Sequence, residues 1–113
     1  MKEIRAIIQP FMSARVFKAL RQIGDLPGLT MSRVAGWGEA CAEDADHTFE
    51  EGGYIFAHKI MLEIVVPDEL ADLVVETIRQ AAYTGNVGDG RIFIYEVADA
   101  LKIRSGDRGT EAL

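Results

Sequence analysis

One cysteine, Cys41, is present in the 113 residues, so no internal disulfide can form, which agrees with a reducing compartment. No apolar run approaches the roughly 20 residues that span a bilayer. The opening Met1-Lys2-Glu3-Ile4-Arg5 also lacks the basic-then-apolar pattern of a secretory leader. A cytoplasmic protein with no direct membrane insertion is expected. A basic surplus is missing too: net charge is −6, so no Lys/Arg stripe is available to make a general nucleic-acid surface.

With 49% hydrophobic residues the chain can bury one core but not two, which gives a single domain over residues 1–113. The charge is concentrated. Glu39, Glu43, Asp44, Asp46, Glu50 and Glu51 fall in one stretch with no Lys or Arg, and the remainder holds 12 acids against 12 bases. The acidic stretch, residues 39–51, has no apolar periodicity and is expected to be a solvated, mobile loop.

Alternation of Ile4, Ala6 and Ile8 before Pro10 predicts a first strand. Ser13 is placed to cap a helix carrying Val16, Phe17, Leu20 and Ile23, with Gly24 at its end. Residues 30–34 read as a second strand running into Gly36-Trp37-Gly38. The third strand, residues 59–66, is nearly continuous in apolar residues, so both its faces are expected to be covered. Pro67 and Asp68 start a second helix with a stripe of Leu70, Leu73, Val74, Thr77, Ile78 and Ala81. A fourth strand follows from Arg91 to about Val97, then an extended piece at 101–104 and a polar tail at about 105–113. Strand–helix–strand occurring twice is the α+β, ferredoxin-like βαββαβ plan, an antiparallel sheet with two helices on one face. The uncovered face is expected to pack in a closed homo-oligomer, a homotrimer.

Between the second helix and the fourth strand lies Thr84-Gly85-Asn86-Val87-Gly88-Asp89-Gly90-Arg91-Ile92-Phe93. Its glycines permit positive φ and bring bare N–H groups within reach of an anion. Arg91 adds a cation, and alternation would set Lys102 and Arg104 on one face with Ile103 on the other. Three cations and a glycine nest suit a polyphosphate. A plain surface loop, in which Gly85 only terminates the helix, is the competing explanation from spacing alone.

These segments resemble the PII signal transduction proteins, which sense nitrogen and energy status. The resemblance is carried by Ile7-Ile8-Gln9-Pro10-Phe11, Ala19-Leu20, Gly36-Trp37-Gly38, Glu63-Ile64-Val65-Val66-Pro67-Asp68, residues 84–93 and Lys102-Ile103-Arg104-Ser105-Gly106. It implies a homotrimer, not primarily an enzyme, that binds ATP or ADP in clefts between subunits, with Mg²⁺ able to accompany the nucleotide, and that controls a protein partner through a long effector loop, about 37–58. Gly88, Asp89 and Gly90 would offer amides to the phosphates, with Arg91, Lys102 and Arg104 as cations. Ile7, Thr30, Gly36, Gly38, Glu63 and Val65 would line the adenosine end. Trp37, Phe49, Tyr54, Ile55 and Phe56 could anchor the loop on its partner.

The sequence departs from the family at the second effector. Glu39-Ala40 replaces the family's Arg-Gln, and alanine offers no metal-ligating oxygen. Lys59 matches the lysine that pairs with the 2-oxoglutarate carboxylate, but without the glutamine 2-oxoglutarate is not expected as the effector. The modified tyrosine of many members has no clear counterpart. Cys41, His47 and His58 are metal-capable residue types without a zinc-site spacing. The alternatives are a metal- or carbon-transport-associated PII-like regulator and, further off, a slow ATP hydrolase.

Overall fold

The computed structural model describes residues 1–38 and 48–113. The chain forms β1 (Lys2–Ile8), a 3-10 turn (Pro10–Met12), α1 (Ser13–Leu20), β2 (Thr30–Gly36), β3 (Thr48–Glu51), β4 (Tyr54–Val66), α2 (Asp68–Ala82), β5 (Gly90–Glu96) and a C-terminal 3-10 turn (Gly109–Ala112). The strands pair antiparallel in the order β2-β4-β1-β5, and β3 pairs with β4. This is the ferredoxin-like α+β fold with one hairpin added.

Strand alternation divides the sheet into two chemically different faces. Ile4, Ala6 and Ile8 of β1 lie opposite Ile64, Leu62 and Ile60 of β4, and all are buried. Val16 and Leu20 of α1 and Ala71, Val74, Ile78 and Ala82 of α2 close over them as one core. Each Ile or Leu so enclosed stabilises the fold by about 1.5–3 kcal/mol relative to exposure. The opposite face carries cross-strand rows, one of Thr30, Glu63, Arg5 and Phe93 and the next of Ser32, Met61, Ile7 and Arg91. Arg5 sits 5.0 Å from the Tyr95 ring centroid and donates to Glu3 at 3.3 Å.

Several local expectations give way to other geometry. Ser13 does not cap α1; its hydroxyl donates to the Pro10 carbonyl at 2.8 Å, because the proline begins a tight turn that runs into the helix. The buried stripe of α2 is rotated from the expected one, with Ala71 and Ala82 inside and Leu73 half exposed. Gly85 is not the residue that ends α2: the C-cap is Tyr83, in extended conformation.

Two larger differences concern the acidic stretch and the C-terminus. Residues 48–51 and 54–58, expected within the loop, belong to β3 and a lengthened β4. Gly52 (φ 61°) and Gly53 (φ 84°) supply the two left-handed residues of the connecting hairpin turn. Phe49 and Phe56 face each other across it with stacked rings 5.7 Å apart, and Trp37 meets Tyr54 edge-on at 5.2 Å. Residues 101–104 are not an extended piece. Leu101 bridges Arg108, and a turn lies between them in which Gly106, at φ 78°, donates to the Lys102 carbonyl at 2.8 Å. The Asp99 carboxylate locks this segment by accepting from Arg108 at 2.9 Å and from the Gly109 amide at 3.2 Å. The Arg108 hydrogen bond foremost, and the Ala100 amide, hold the Asp99 carboxyl below its usual range.

Candidate functional site

Beyond Tyr83 the chain turns through Gly85 at φ 86°, Gly88 at 97° and Gly90 at 109°, a backbone region that only glycine enters readily. At Gly90 there is a steric reason as well. A Cβ there would stand 1.7 Å from the Ile7 carbonyl oxygen, because Gly90 pairs with Ile8 at the end of the β1–β5 ladder.

Asp89 shapes the turn from within. One carboxylate oxygen accepts from the Thr84 amide at 2.8 Å and the Gly85 amide at 3.0 Å, and the other from the Thr84 hydroxyl. That hydroxyl in turn accepts from the Asn86 amide at 3.2 Å. Partial burial pushes the Asp89 carboxyl up, but the Thr84 hydroxyl, the two amides and the Lys59 ammonium together hold it below the ordinary carboxylate value. The amides of residues 84–86 are therefore occupied within the loop, and the stretch around Gly88 and Asp89 is the part able to meet an anion. The sequence reading assigned Asp89 a backbone role and missed this side-chain staple.

Lys59 reaches the same turn from β4, where its ammonium donates to the Gly88 carbonyl at 2.8 Å. Arg91 follows on β5 in the row of Ile7, exposed, and its side chain makes no hydrogen bond or ion pair among the described residues. The loop, the end of β2 and β4 enclose a cleft of about 640 Å³ lined by Ile7, Gly36, Trp37, Gly38, Lys59, Gly88, Asp89, Gly90 and Arg91, with Ala57, Asn86 and Phe93. That volume lies in the range of small-molecule sites. A second cleft of about 380 Å³ shares Asp89, Gly90 and Arg91 and is walled on the helix side by Val75, Ile78, Ala82 and Ile92.

The predicted site residues thus fall into two groups. Ile7, Gly36, Gly38, Lys59, Gly88, Asp89, Gly90 and Arg91 meet in one cleft. Thr30, Glu63 and Val65 lie farther along the helix-free face, Thr30 directly across from Glu63, and Lys102 and Arg104 lie within the C-terminal turn. None of these five lines the cleft. Trp37 was expected only as a loop anchor, yet it forms part of the cleft wall.

Cys41 and His47 lie outside the described residues, as do Glu39 and Ala40. His58 packs against the Phe49 ring at 4.8 Å, and among the described residues no three His, Cys, Asp or Glu side chains come together to hold a metal ion. No helix of the described residues is long and apolar enough to cross a membrane.

Residues 1–107 match the family model described as nitrogen regulatory protein P-II. The chain is 40% identical to the nitrogen regulatory protein P-II of Rhodospirillum rubrum, and 39% identical to the nitrogen regulatory protein P-II 1 of Escherichia coli K12. Both matches extend over 113 residues and the full length of each protein. Its fold is similar to the crystal structure of Arabidopsis thaliana PII bound to citrate, with a TM-score of 0.80, 36% identity, and coverage of 99% of this chain and 91% of that one.

Proposed function

The chain belongs to the nitrogen regulatory protein P-II family, and from that premise we propose that it is a cytoplasmic homotrimer that senses ATP and ADP and reports their balance to a protein partner. The observation that carries this reading is the cleft itself: a glycine turn braced from within by Asp89, with the Arg91 side chain, unpartnered among the described residues, at its edge. An anion set there would meet oriented amides and a fixed cation, the arrangement that phosphate groups favour.

One chain supplies only part of such a site. A neighbouring copy packed on the helix-free face would bring its Lys102 and Arg104 towards the phosphates, and its Thr30, Glu63 and Val65 towards the adenosine. Trp37 and the β3–β4 hairpin join this cleft to the acidic stretch, so nucleotide contacts at its base could set the surface offered to a partner. The abundance of acids on that stretch suits a partner with a basic face.

Subunit complementation tests the shared site. Arg91→Ala and the double variant Lys102→Ala/Arg104→Ala should each bind ATP weakly in calorimetry. Co-expressed, the two should form mixed trimers in which about a quarter of the clefts draw the intact loop from one chain and the intact turn from its neighbour. Recovery of that fraction of wild-type sites is the expected result. No recovery from demonstrably mixed trimers would refute a site built by two chains, and wild-type protein that ignores both nucleotides would refute the sensor reading altogether.

A further inference from the structure

Resting on the nucleotide-cleft reading, we propose that Lys59 is a positioning residue that selects the anion-binding orientation of the Gly88–Asp89 peptide. Its ammonium donates to the Gly88 carbonyl at 2.8 Å. In a planar trans peptide the carbonyl of one residue and the N–H of the next point in opposite directions, and there is no cis peptide bond among the described residues. Capturing the Gly88 oxygen therefore fixes the direction of the Asp89 N–H, which has no partner of its own among the described residues.

The restraint matters because of the residue it acts on. Gly88 has φ 97°, and a glycine can rotate its following peptide with little steric resistance. The Asp89 carboxylate pins Thr84 and Gly85 but touches nothing at the 88–89 bond. Without Lys59 the peptide is free to flip. The flip would turn a carbonyl oxygen to the side where an amide had stood, replacing an attractive dipole by a repulsive one at the point an anion approaches. A charge-assisted hydrogen bond is strong enough to decide between the two orientations.

This role differs from that of a simple counter-ion and can be told apart from it. In Lys59→Met, ATP and inorganic tripolyphosphate should bind about tenfold more weakly, the loss should persist at high ionic strength, and Lys59→Arg, which keeps a donor, should recover most of it. The ligand-free proteins give a readout that does not depend on nucleotide binding. The Asp89 amide and Gly88 carbonyl resonances should shift in Lys59→Met, towards those of a flipped peptide, and return in Lys59→Arg, with the resonances of the β1–β5 ladder unchanged. Unchanged Asp89 and Gly88 resonances in Lys59→Met would overturn the proposal, as would a loss of affinity that salt abolishes. If wild-type protein fails to bind ATP while the ligand-free resonances shift as stated, the nucleotide reading falls and the positioning of the peptide stands. Should Lys59→Met not fold, Lys59→Leu, which likewise removes the donor, provides the same comparison, and native resonances at Gly88 and Asp89 with undiminished tripolyphosphate affinity would again overturn it.

Discussion

Replacing Gly90 by alanine should be among the most damaging single-methyl changes this fold can receive. The added Cβ would lie 1.7 Å from the Ile7 carbonyl oxygen, more than an ångström inside the 3.0 Å that such contacts do not breach. Neither partner can yield cheaply, since Ile7 pairs with both Met61 and Arg91 in the middle of the sheet. The backbone angle of 109° adds its own penalty. Overpacking of about 1–3 kcal/mol and conformational strain of about 1–3 kcal/mol together give about 2–6 kcal/mol. For a domain of this size, at about 4 °C per kcal/mol, that lowers the melting temperature by roughly 8–24 °C. Gly85→Ala is the proper reference. It lies in the same turn at φ 86°, but its Cβ would meet only the movable Tyr83 ring, at 3.1 Å. It should cost about 1–2 kcal/mol, mostly conformational. Thermal unfolding by circular dichroism at matched subunit concentration compares the two. If they melt within about 2 °C of each other, the close approach to Ile7 is not what requires glycine at 90.

Asp89→Asn should destabilise the turn by about 1 kcal/mol at neutral pH, because an amide cannot accept from all three donors. Since the Asp89 carboxyl titrates lower in the folded chain than in the unfolded one, its contribution is present above the unfolded value. It is lost as pH falls through the folded one. Urea midpoints of wild type and variant should therefore converge under strong acid, and a gap that persists there would contradict the assignment. Arg91→Ala should weaken ATP on the order of tenfold and AMP much less, because its guanidinium would face the terminal phosphates; equal losses for both nucleotides in calorimetry would place Arg91 elsewhere.

Much of this architecture was legible in the chain, though not all for the reasons first given. The order of strands and helices follows from alternation in residues 4–8, the continuous apolar run of 59–66 and the helical spacing after Pro67. The clustering of Ile7, Gly36, Gly38 and residues 88–91 came from motif likeness, and the cleft brings them together. The hairpin was overlooked although its signal was present: Glu51-Gly52-Gly53-Tyr54 is a two-residue turn between pairable segments, but the carboxylates of the preceding stretch suggested a loop. The C-terminal turn was read as a strand because Lys102-Ile103-Arg104 alternates. What overrides that pattern is the Gly106 turn and the Asp99–Arg108 clamp, pairings over several residues that local periodicity does not register. The Asp89 staple was hidden for a similar reason, since a carboxylate beside glycines reads equally well as a turn residue or a ligand.

The chain's single indole, Trp37, stands where the cleft wall meets the hairpin and lies edge-on to a phenol. Light emission from the unlabelled protein at tryptophan wavelengths consequently has one origin, uncontaminated by signal from elsewhere in the fold. Any rearrangement that parts that ring from Tyr54 alters its surroundings, so a cuvette suffices to time how fast the hairpin answers a molecule entering the cleft.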